Sequence, residues 1–176
     1  FKEACRNLID SGVKKLIFDV RYNPGGDLRS IVSILDYLLP EGPIVRITDK
    51  DGNVVETYES DADSLDLPMC VLTNGSTASA AELFTSALKD YKKATVVGTN
   101  TYGKGTVQTV IGLPDGSGIG ISYRLYNPPF SDNYEGVGIA PDYEVEPDKS
   151  LEGKNIYKIT DSEDNQLQKA VEILTK

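Results

Sequence analysis

The stretch PMCVLTNGSTASAAELFTSALKDY, residues 68–91, changes from a strand pattern to a helical pattern within a few residues. It opens with a short apolar run, which is typical of a strand buried on both faces of a sheet. From Ala80 onward, the apolar residues recur at the three- and four-residue spacing of a helix with one buried face. Small residues fill the turn at 75–81. The stretch therefore predicts a buried strand that leads directly into a helix.

The same alternation of strand and helix patterns occurs on both sides of this stretch. A helical stripe at 1–11 precedes an apolar run at 14–21, and a helix pattern at 27–39 follows, with Asp27 as its cap. Another apolar run lies at 94–98. This alternation predicts an α/β fold with a mixed, mainly parallel sheet, whose strands are joined by right-handed crossover helices.

Two further patterns add antiparallel strands and a last helix. Runs rich in β-branched residues flank the turns at 51–52 and 114–118, as they do in β-hairpins. Residues 161–176 predict an amphipathic helix capped by Asp161 or Ser162. Its inward face is predicted to carry Leu167, Ala170, Val171 and Leu174.

The composition is that of an ordinary globular domain. The 176 residues show no internal boundary or repeat, which predicts one domain over 1–176. With 18 basic and 27 acidic residues the net charge is −9, which argues against nucleic acid and anionic membranes as partners. No apolar run approaches the roughly 20 residues of a membrane span. The chain opens inside a helical pattern, so we expect it to be a piece of a longer protein.

The chain contains no histidine. This excludes the Ser-His-Asp triad, the Cys-His dyad and nearly every zinc site. Any catalysis must then use Lys, Asp, Glu, Tyr, Ser or Cys as base and nucleophile. The two cysteines, Cys5 and Cys70, lie in apolar patterns, which favours buried free thiols, although the sequence leaves a disulfide between them open.

One lysine lies in the glycine-rich stretch VVGTNTYGKGTVQ, residues 96–108, which has the spacing of a phosphate-binding loop. That interpretation fails in two places. The residue after Lys104 is Gly105 instead of Ser or Thr, and a strand pattern follows instead of a helix whose amides face the phosphates. Lys104 is therefore either a solvated surface lysine or a lysine turned inward by its two flanking glycines.

The turn at 75–81 offers serines that suit a helix cap or a nucleophile. A serine at a strand-to-helix turn is raised from the sheet, and the first amides of the helix can bind an oxyanion. Its hydroxyl needs a base, and the known substitute for histidine is a neutral lysine, which burial among apolar groups favours. Gly25 and Gly26 follow another strand at the same carboxyl edge, where their amides can approach a substrate carbonyl.

Three segments resemble, in this order, the catalytic core of the C-terminal processing, or tail-specific, serine peptidases: FDVRYNPGG (18–26), the residues 71–108, and GVGIAPDYEVE (136–146). The middle segment is the most specific. The resemblance implies a crotonase- or Clp-protease-like core and an extracytoplasmic setting. Members of the family normally carry a PDZ domain before this core, and these residues do not contain one. The sequence of the segment 123–138 also departs from the family's usual pattern.

Position by position, the resemblance assigns roles to residues of this chain. Ser79, three residues before Glu82, takes the place of the nucleophile, and Lys104 takes that of the base. The resemblance gives Gln108 the place of the residue that orients the lysine. Positions 104 and 108 of a strand point to the same face, so this pairing is geometrically consistent. The remaining residues implied are the oxyanion-hole amides of Ala80 and of Gly25 or Gly26, and Asp90 as a supporting residue.

The resemblance thus predicts a serine endopeptidase with a Ser-Lys dyad and without a metal or cofactor. Its partner is a protein or peptide substrate bound in extended form, and directed by its C-terminal tail in the full-length protein. Two alternatives are a non-catalytic peptide- or ligand-binding module on the same fold and a nucleotide-binding protein. A Ser79 hydroxyl within about 3.2 Å of the Lys104 ammonium nitrogen favours the enzyme. The sequence indicates neither an oligomeric state nor a cleavage preference.

Overall fold

The structure is a computed structural model that describes residues 1–151 and 153–176. None of the helices in this part of the chain is long and apolar enough to cross a membrane. In chain order, the helices and strands are α1 (Lys2–Asp10), β1 (Leu16–Asp19), α2 (Leu28–Leu38), β2 (Gly42–Thr48), β3 (Val54–Ser60), β4 (Met69–Thr73), α3 (Ala80–Asp90), β5 (Ala94–Gly98), β6 (Thr106–Gly112), β7 (Gly118–Asn127), β8 (Tyr143–Glu144) and α4 (Asn165–Thr175).

A four-stranded parallel sheet, in the order β1-β4-β5-β8, carries helices on both faces. All residues of β4 are buried, as its continuous apolar run predicts. Alternate side chains of β4 enter two clusters. Met69 and Val71 pack with residues of α2 and α3, whereas Cys70 and Leu72 pack with residues of α4. The strand-to-helix stretch thus lies at the centre of the fold.

The two predicted hairpins form a second sheet, which is antiparallel and ordered β3-β2-β7-β6. β6 lies at its edge and pairs with β7, from Thr106 opposite Leu125 to Gly112 opposite Gly118. The outer part of this hairpin is exposed. The mixed α/β class is confirmed, but the antiparallel strands form a sheet of their own, where the sequence suggested additions to the parallel sheet.

The last helix begins later than its pattern predicts. Its cap is Asp164, whose carboxylate accepts hydrogen bonds from the amides of Gln166 and Leu167. The predicted start at 161–162 is therefore wrong. The prediction for Val171 is wrong as well, because its side chain is 41% exposed and lies beside the stripe with which α4 covers the sheet.

Asp164 also binds a buried arginine at the end of β1. Arg21 donates to the two carboxylate oxygens of Asp164 at 3.1 and 2.6 Å, and to Asp19 at 3.0 and 2.7 Å. Burial alone raises the pKa of Asp164, but hydrogen bonds from Arg21 and from two α4 amides outweigh it, so its pKa lies below the ordinary value. This pair ties α4 to the strand end that leads to Gly25.

Both cysteines are free and buried, which agrees with the interpretation that the sequence favours. The Cys70 thiol faces α4 and lies 3.8 Å from the carbonyl oxygen of Ala170. Burial raises the pKa of the Cys70 thiol to about 11. Cys70 is therefore a core side chain that stays protonated near neutral pH.

Candidate active site

The turn before α3 holds Ser79 in an unusual backbone conformation. Its φ is 59° and its ψ is −122°, a combination that residues with a side chain rarely adopt. Two contacts with the loop that follows β1 fix this turn. The Ala78 amide donates to the Asn23 carbonyl at 2.9 Å, and the Thr77 hydroxyl donates to the Val20 carbonyl at 2.8 Å. Ser79 is thus held at the amino end of α3, where the sequence predicted a raised serine.

Gly25 lies directly against this turn. A Cβ on Gly25 would lie 2.7 Å from both the Ala78 carbonyl oxygen and the Ala80 amide nitrogen, and the φ of Gly25 is 94°. Only glycine fits there. The Gly25 amide donates to Asn23 Oδ1 at 2.9 Å. Among the residues that the structure describes, the amides of Ala80 and Gly26 have no hydrogen-bond partner, so these two amides are available to a ligand.

Glu82 joins the serine turn to the lysine loop. Its side chain is fully buried, and its carboxylate accepts four hydrogen bonds. Oε2 accepts from the amides of Ser79 and Lys104, both at 2.8 Å. Oε1 accepts from the Thr101 hydroxyl and the Gly103 amide, both at 2.6 Å. The position in the first turn of α3 also suits a negative charge, because the helix dipole is positive there.

Ser79 and Lys104 line one cavity of about 290 Å³, together with Gly26, Ala80 and Tyr126. Lys104 is half-buried. Within the described part of the chain, Lys104 Nζ makes neither a hydrogen bond nor an ion pair. It therefore makes no hydrogen bond with Ser79. The structure thus brings the predicted nucleophile and base to the same cavity but shows no hydrogen bond between them.

Gln108 lines this cavity too, but its side chain is directed elsewhere. Its Nε2 donates to the Ser122 hydroxyl at 3.2 Å. The expected alternation between positions 104 and 108 does not apply, because β6 begins at Thr106 and its register shifts between Val107 and Gln108. The structure therefore does not show the predicted contact between Gln108 and Lys104.

Tyr126, which no sequence pattern singles out, is the side chain that contacts the Ser79 hydroxyl. Its phenol oxygen lies 3.0 Å from Ser79 Oγ and 2.5 Å from the carbonyl oxygen of Lys104. The residue comes from the end of β7, and its side chain is 6% exposed. Tyr126 thus connects the serine turn to the lysine loop on the cavity side, as Glu82 does beneath it.

Asp90 lies at the other end of α3, about 16 Å along the helix from Ser79. Its carboxylate accepts from the amides of Phe130 and Ser131, at 2.8 and 2.9 Å, and from the Ser131 hydroxyl. Asp90 therefore holds the loop after β7 and does not reach the cavity.

A second cavity, of about 400 Å³, adjoins the Gly26 and Ala80 amides on the side away from Lys104. Its lining is mainly apolar and includes Phe18, Ile31 and Phe84. A chain whose carbonyl oxygen reaches those amides can therefore place an apolar side chain here.

We expect the protein to lose stability at alkaline pH. Burial raises the pKa of Tyr126 to about 12 and that of Cys70 to about 11, and it raises the pKa of Tyr134 well above 10. In the unfolded chain these groups lose protons from about pH 9 upward, whereas the folded chain retains them. The contribution of these groups to the free energy of unfolding is complete below that pH and is lost as the pH rises. For each proton that only the folded chain retains, the free energy of unfolding falls by about 1.4 kcal/mol per pH unit.

Urea unfolding at several pH values between about 8 and 11 checks this expectation. Tyr134→Phe should make the fall in the free energy of unfolding shallower, because it removes one retained proton. A free energy of unfolding that stays constant up to about pH 11 contradicts it.

The sequence model of the family described as peptidase family S41 matches residues 1–145 of the chain. The chloroplastic C-terminal processing peptidase of Tetradesmus obliquus is 36% identical over 149 residues, which are 84% of this chain and 32% of that protein. The carboxyl-terminal-processing protease of Synechocystis sp. is 36% identical over 172 residues, which are 98% of this chain and 39% of that protein. The chain thus spans less than half the length of these curated relatives.

Solved structures agree with this similarity. A photosystem II D1 C-terminal processing protease has a TM-score of 0.76 at 36% identity, covering 84% of this chain and 38% of that one. A putative S41 protease from Bacteroides fragilis has a TM-score of 0.76 at 22% identity, covering 98% of this chain and 48% of that one. At that identity the second match reflects the fold alone.

Proposed function

The chain belongs to peptidase family S41, and from this membership we propose that it is the catalytic core of a serine endopeptidase. Ser79 is the nucleophile and Lys104 the base. The observation that carries the proposal is the combination around one cavity: a serine in a strained turn, a lysine without a partner among the described residues, and two amides free to bind an oxyanion.

In this proposal, Lys104 carries one proton between Ser79, the leaving amine and the attacking water. Neutral Lys104 Nζ takes the hydroxyl proton of Ser79 while Oγ bonds to the carbonyl carbon of the substrate. As the carbon–nitrogen bond breaks, Lys104 gives that proton to the leaving amine. Water then attacks the acyl ester, giving a proton to Lys104 that returns to Ser79 Oγ. The products are an amine and a carboxylic acid, and both side chains regain their initial states.

The oxyanion formed in each step is bound, in this proposal, by the amides of Ala80 and Gly26. The choice of Gly26 over Gly25 follows from the hydrogen bonds. The Gly25 amide is already engaged by Asn23, whereas the Gly26 amide lines both cavities without a partner in the described chain. Gly25 contributes by lacking a side chain, which lets the loop approach Ala80.

A productive complex requires the Ser79 hydroxyl to reach Lys104 Nζ. Catalytic hydrogen bonds are often long or absent without substrate and form in the Michaelis complex. The missing bond is also the observation that favours the second candidate, a non-catalytic binding module on the same fold. The two candidates differ in whether Ser79 is reactive.

We further propose that the substrate is an extended peptide. β6 begins two residues after Lys104 and, among the strands that the structure describes, pairs on one side only, so a strand added on its other side runs past the cavity. The names of the curated relatives refer to processing at the carboxyl terminus. For the full-length protein we propose the same selection by substrate C-terminal tails, in an extracytoplasmic or lumenal compartment.

Labelling with an alkyl fluorophosphonate tests the nucleophile, because the reagent loses fluoride to an activated serine. We expect the intact protein to be labelled and Ser79→Ala to remain unlabelled. Ser76→Ala, in the same turn, is the control and should label like the wild type. Equal labelling of the wild type and Ser79→Ala contradicts the assignment, and an unlabelled wild type that binds peptides without cutting them supports the binding module.

A further inference from the structure

The phenol of Tyr126 has two acceptors for one proton. Its oxygen lies 2.5 Å from the Lys104 carbonyl and 3.0 Å from Ser79 Oγ. A carbonyl can only accept, so a phenol proton placed on it leaves the Ser79 hydroxyl to donate to the phenol oxygen. When the phenol instead donates to Ser79, the serine proton is free for another acceptor. Tyr126 therefore controls where the Ser79 proton points.

We propose that Tyr126 is a further catalytic residue, which donates a hydrogen bond to Ser79 Oγ as that oxygen loses its proton to Lys104. This inference rests on the proposed function. The bond strengthens during the step, because Oγ becomes a better acceptor as negative charge develops on it. Tyr126 keeps its own proton throughout, so the step still transfers one proton, from Ser79 to Lys104. The shift of the phenol proton from the Lys104 carbonyl to Ser79 accompanies it.

The surroundings of Tyr126 hold the phenol in place for this role. Its amide donates to the Gly105 carbonyl at 3.0 Å, and the Asn133 side chain donates to its carbonyl at 2.9 Å. Its ring packs edge to face on Tyr134, with centroids 6.0 Å apart. Burial raises the pKa of Tyr126 to about 12, so the phenol remains a donor throughout the pH range in which a peptidase works.

Tyr91 supplies a matched control at the far end of α3. Its phenol donates to the Pro43 carbonyl at 3.0 Å, and it lines neither of the two cavities beside Ser79. The substitutions Tyr126→Phe and Tyr91→Phe thus each remove a phenol that donates to a backbone carbonyl. Only the phenol of Tyr126 contacts Ser79, whereas the Tyr134 hydroxyl interacts with that same phenol and cannot serve as the control.

Peptide cleavage by the intact protein tests the proposal. We expect Tyr126→Phe to lower kcat about 100-fold with KM close to wild type, because an interaction made mainly in the transition state is lost. Its Tm should fall, because the Lys104 carbonyl loses the phenol that donates to it. Tyr91→Phe should lower Tm by a similar amount but keep kcat within about threefold. A Tyr126→Phe enzyme with wild-type kcat, while Ser79→Ala is inactive, overturns this inference and leaves the proposed function intact. Loss of the Ser79 dependence overturns both.

A ring-fluorinated tyrosine at position 126 gives a second test that retains the hydroxyl and the fold. Fluorine makes the phenol ionise at lower pH, and a phenolate cannot donate to Ser79. We expect kcat to fall as the pH rises through the lowered phenol pKa, whereas the wild type keeps its rate. The other titratable groups around the phenol are Tyr134, Glu82, Glu135 and Lys104, and this substitution changes none of them. A pH profile identical to that of the wild type overturns the proposal, because a purely structural tyrosine gives that result.

Discussion

Glu82→Gln is expected to lower both the stability and the activity of the protein, although it replaces only one carboxylate oxygen by an amide nitrogen. The carboxylate accepts four hydrogen bonds, two at each oxygen. An amide has one oxygen, and its NH₂ group must face two groups that also donate. Each buried donor left unpaired costs about 1–3 kcal/mol, so the free energy of unfolding should fall by several kcal/mol.

The loss of activity follows from which donors are involved. The amides of Ser79 and Lys104 share Oε2, so a disturbance there moves the proposed nucleophile and base relative to each other. Misplacement by about 1 Å can lower a rate about 100-fold. Urea unfolding and fluorophosphonate labelling measure the two effects separately.

Glu135→Gln is the matched control for Glu82→Gln. The carboxylate of Glu135 accepts from the Gly105 amide at 2.5 Å, in the same loop, and its side chain is exposed. We expect a loss of no more than about 1 kcal/mol there, since water can replace the carboxylate. If Glu82→Gln is as stable and as readily labelled as Glu135→Gln, the bridging role of Glu82 is contradicted.

Lys104→Met should nearly abolish peptide cleavage while the protein stays folded. Methionine has a similar length but cannot accept the Ser79 proton, and a positioned general base contributes about 100- to 10,000-fold to a rate. Stability should hardly change, because Lys104 Nζ has no partner in the described chain. We therefore expect kcat/KM to fall by about three orders of magnitude and Tm to stay close to the wild-type value.

Lys89→Met is the control, and we expect it to affect stability slightly and cleavage not at all. Lys89 donates to the Ala140 carbonyl at 2.6 Å and pairs with Asp142 at 3.0 Å, remote from the cavity. Because this pair is about one-third exposed, its loss should lower the free energy of unfolding by no more than about 1 kcal/mol. Cleavage should be unaffected. A Lys104→Met enzyme with at least about one-tenth of wild-type kcat/KM contradicts the role of Lys104 as the base.

Local patterns predicted most of the fold, because strands and helices here follow their own apolar periodicity. β4 and α3 lie where the change of pattern at 68–91 places them. The start of α4 was predicted wrongly because its capping residue is fixed by a contact with a residue far away in the sequence. Asp164 is held by Arg21, which is 143 positions away, and no local pattern contains that contact.

The candidate site divides in the same way. Turn chemistry and the family resemblance bring Ser79, Lys104 and the glycine loop to attention. In the sequence, Glu82 was used only as the reference position that identifies Ser79. Its own role was missed, because a buried carboxylate shared by two loops leaves no signature in a single sequence. Tyr126 was missed for the same reason, since its contact with Ser79 spans 47 positions.

The bond between Arg21 and Asp164 also has a consequence for synthesis of the chain. Contacts between residues so far apart form late in folding, because the entropy of closing a long loop must first be overcome. A nascent chain still lacking α4 cannot secure the strand end that leads to Gly25. We therefore expect the loop at Gly25 to remain unfixed on the ribosome until α4 has emerged.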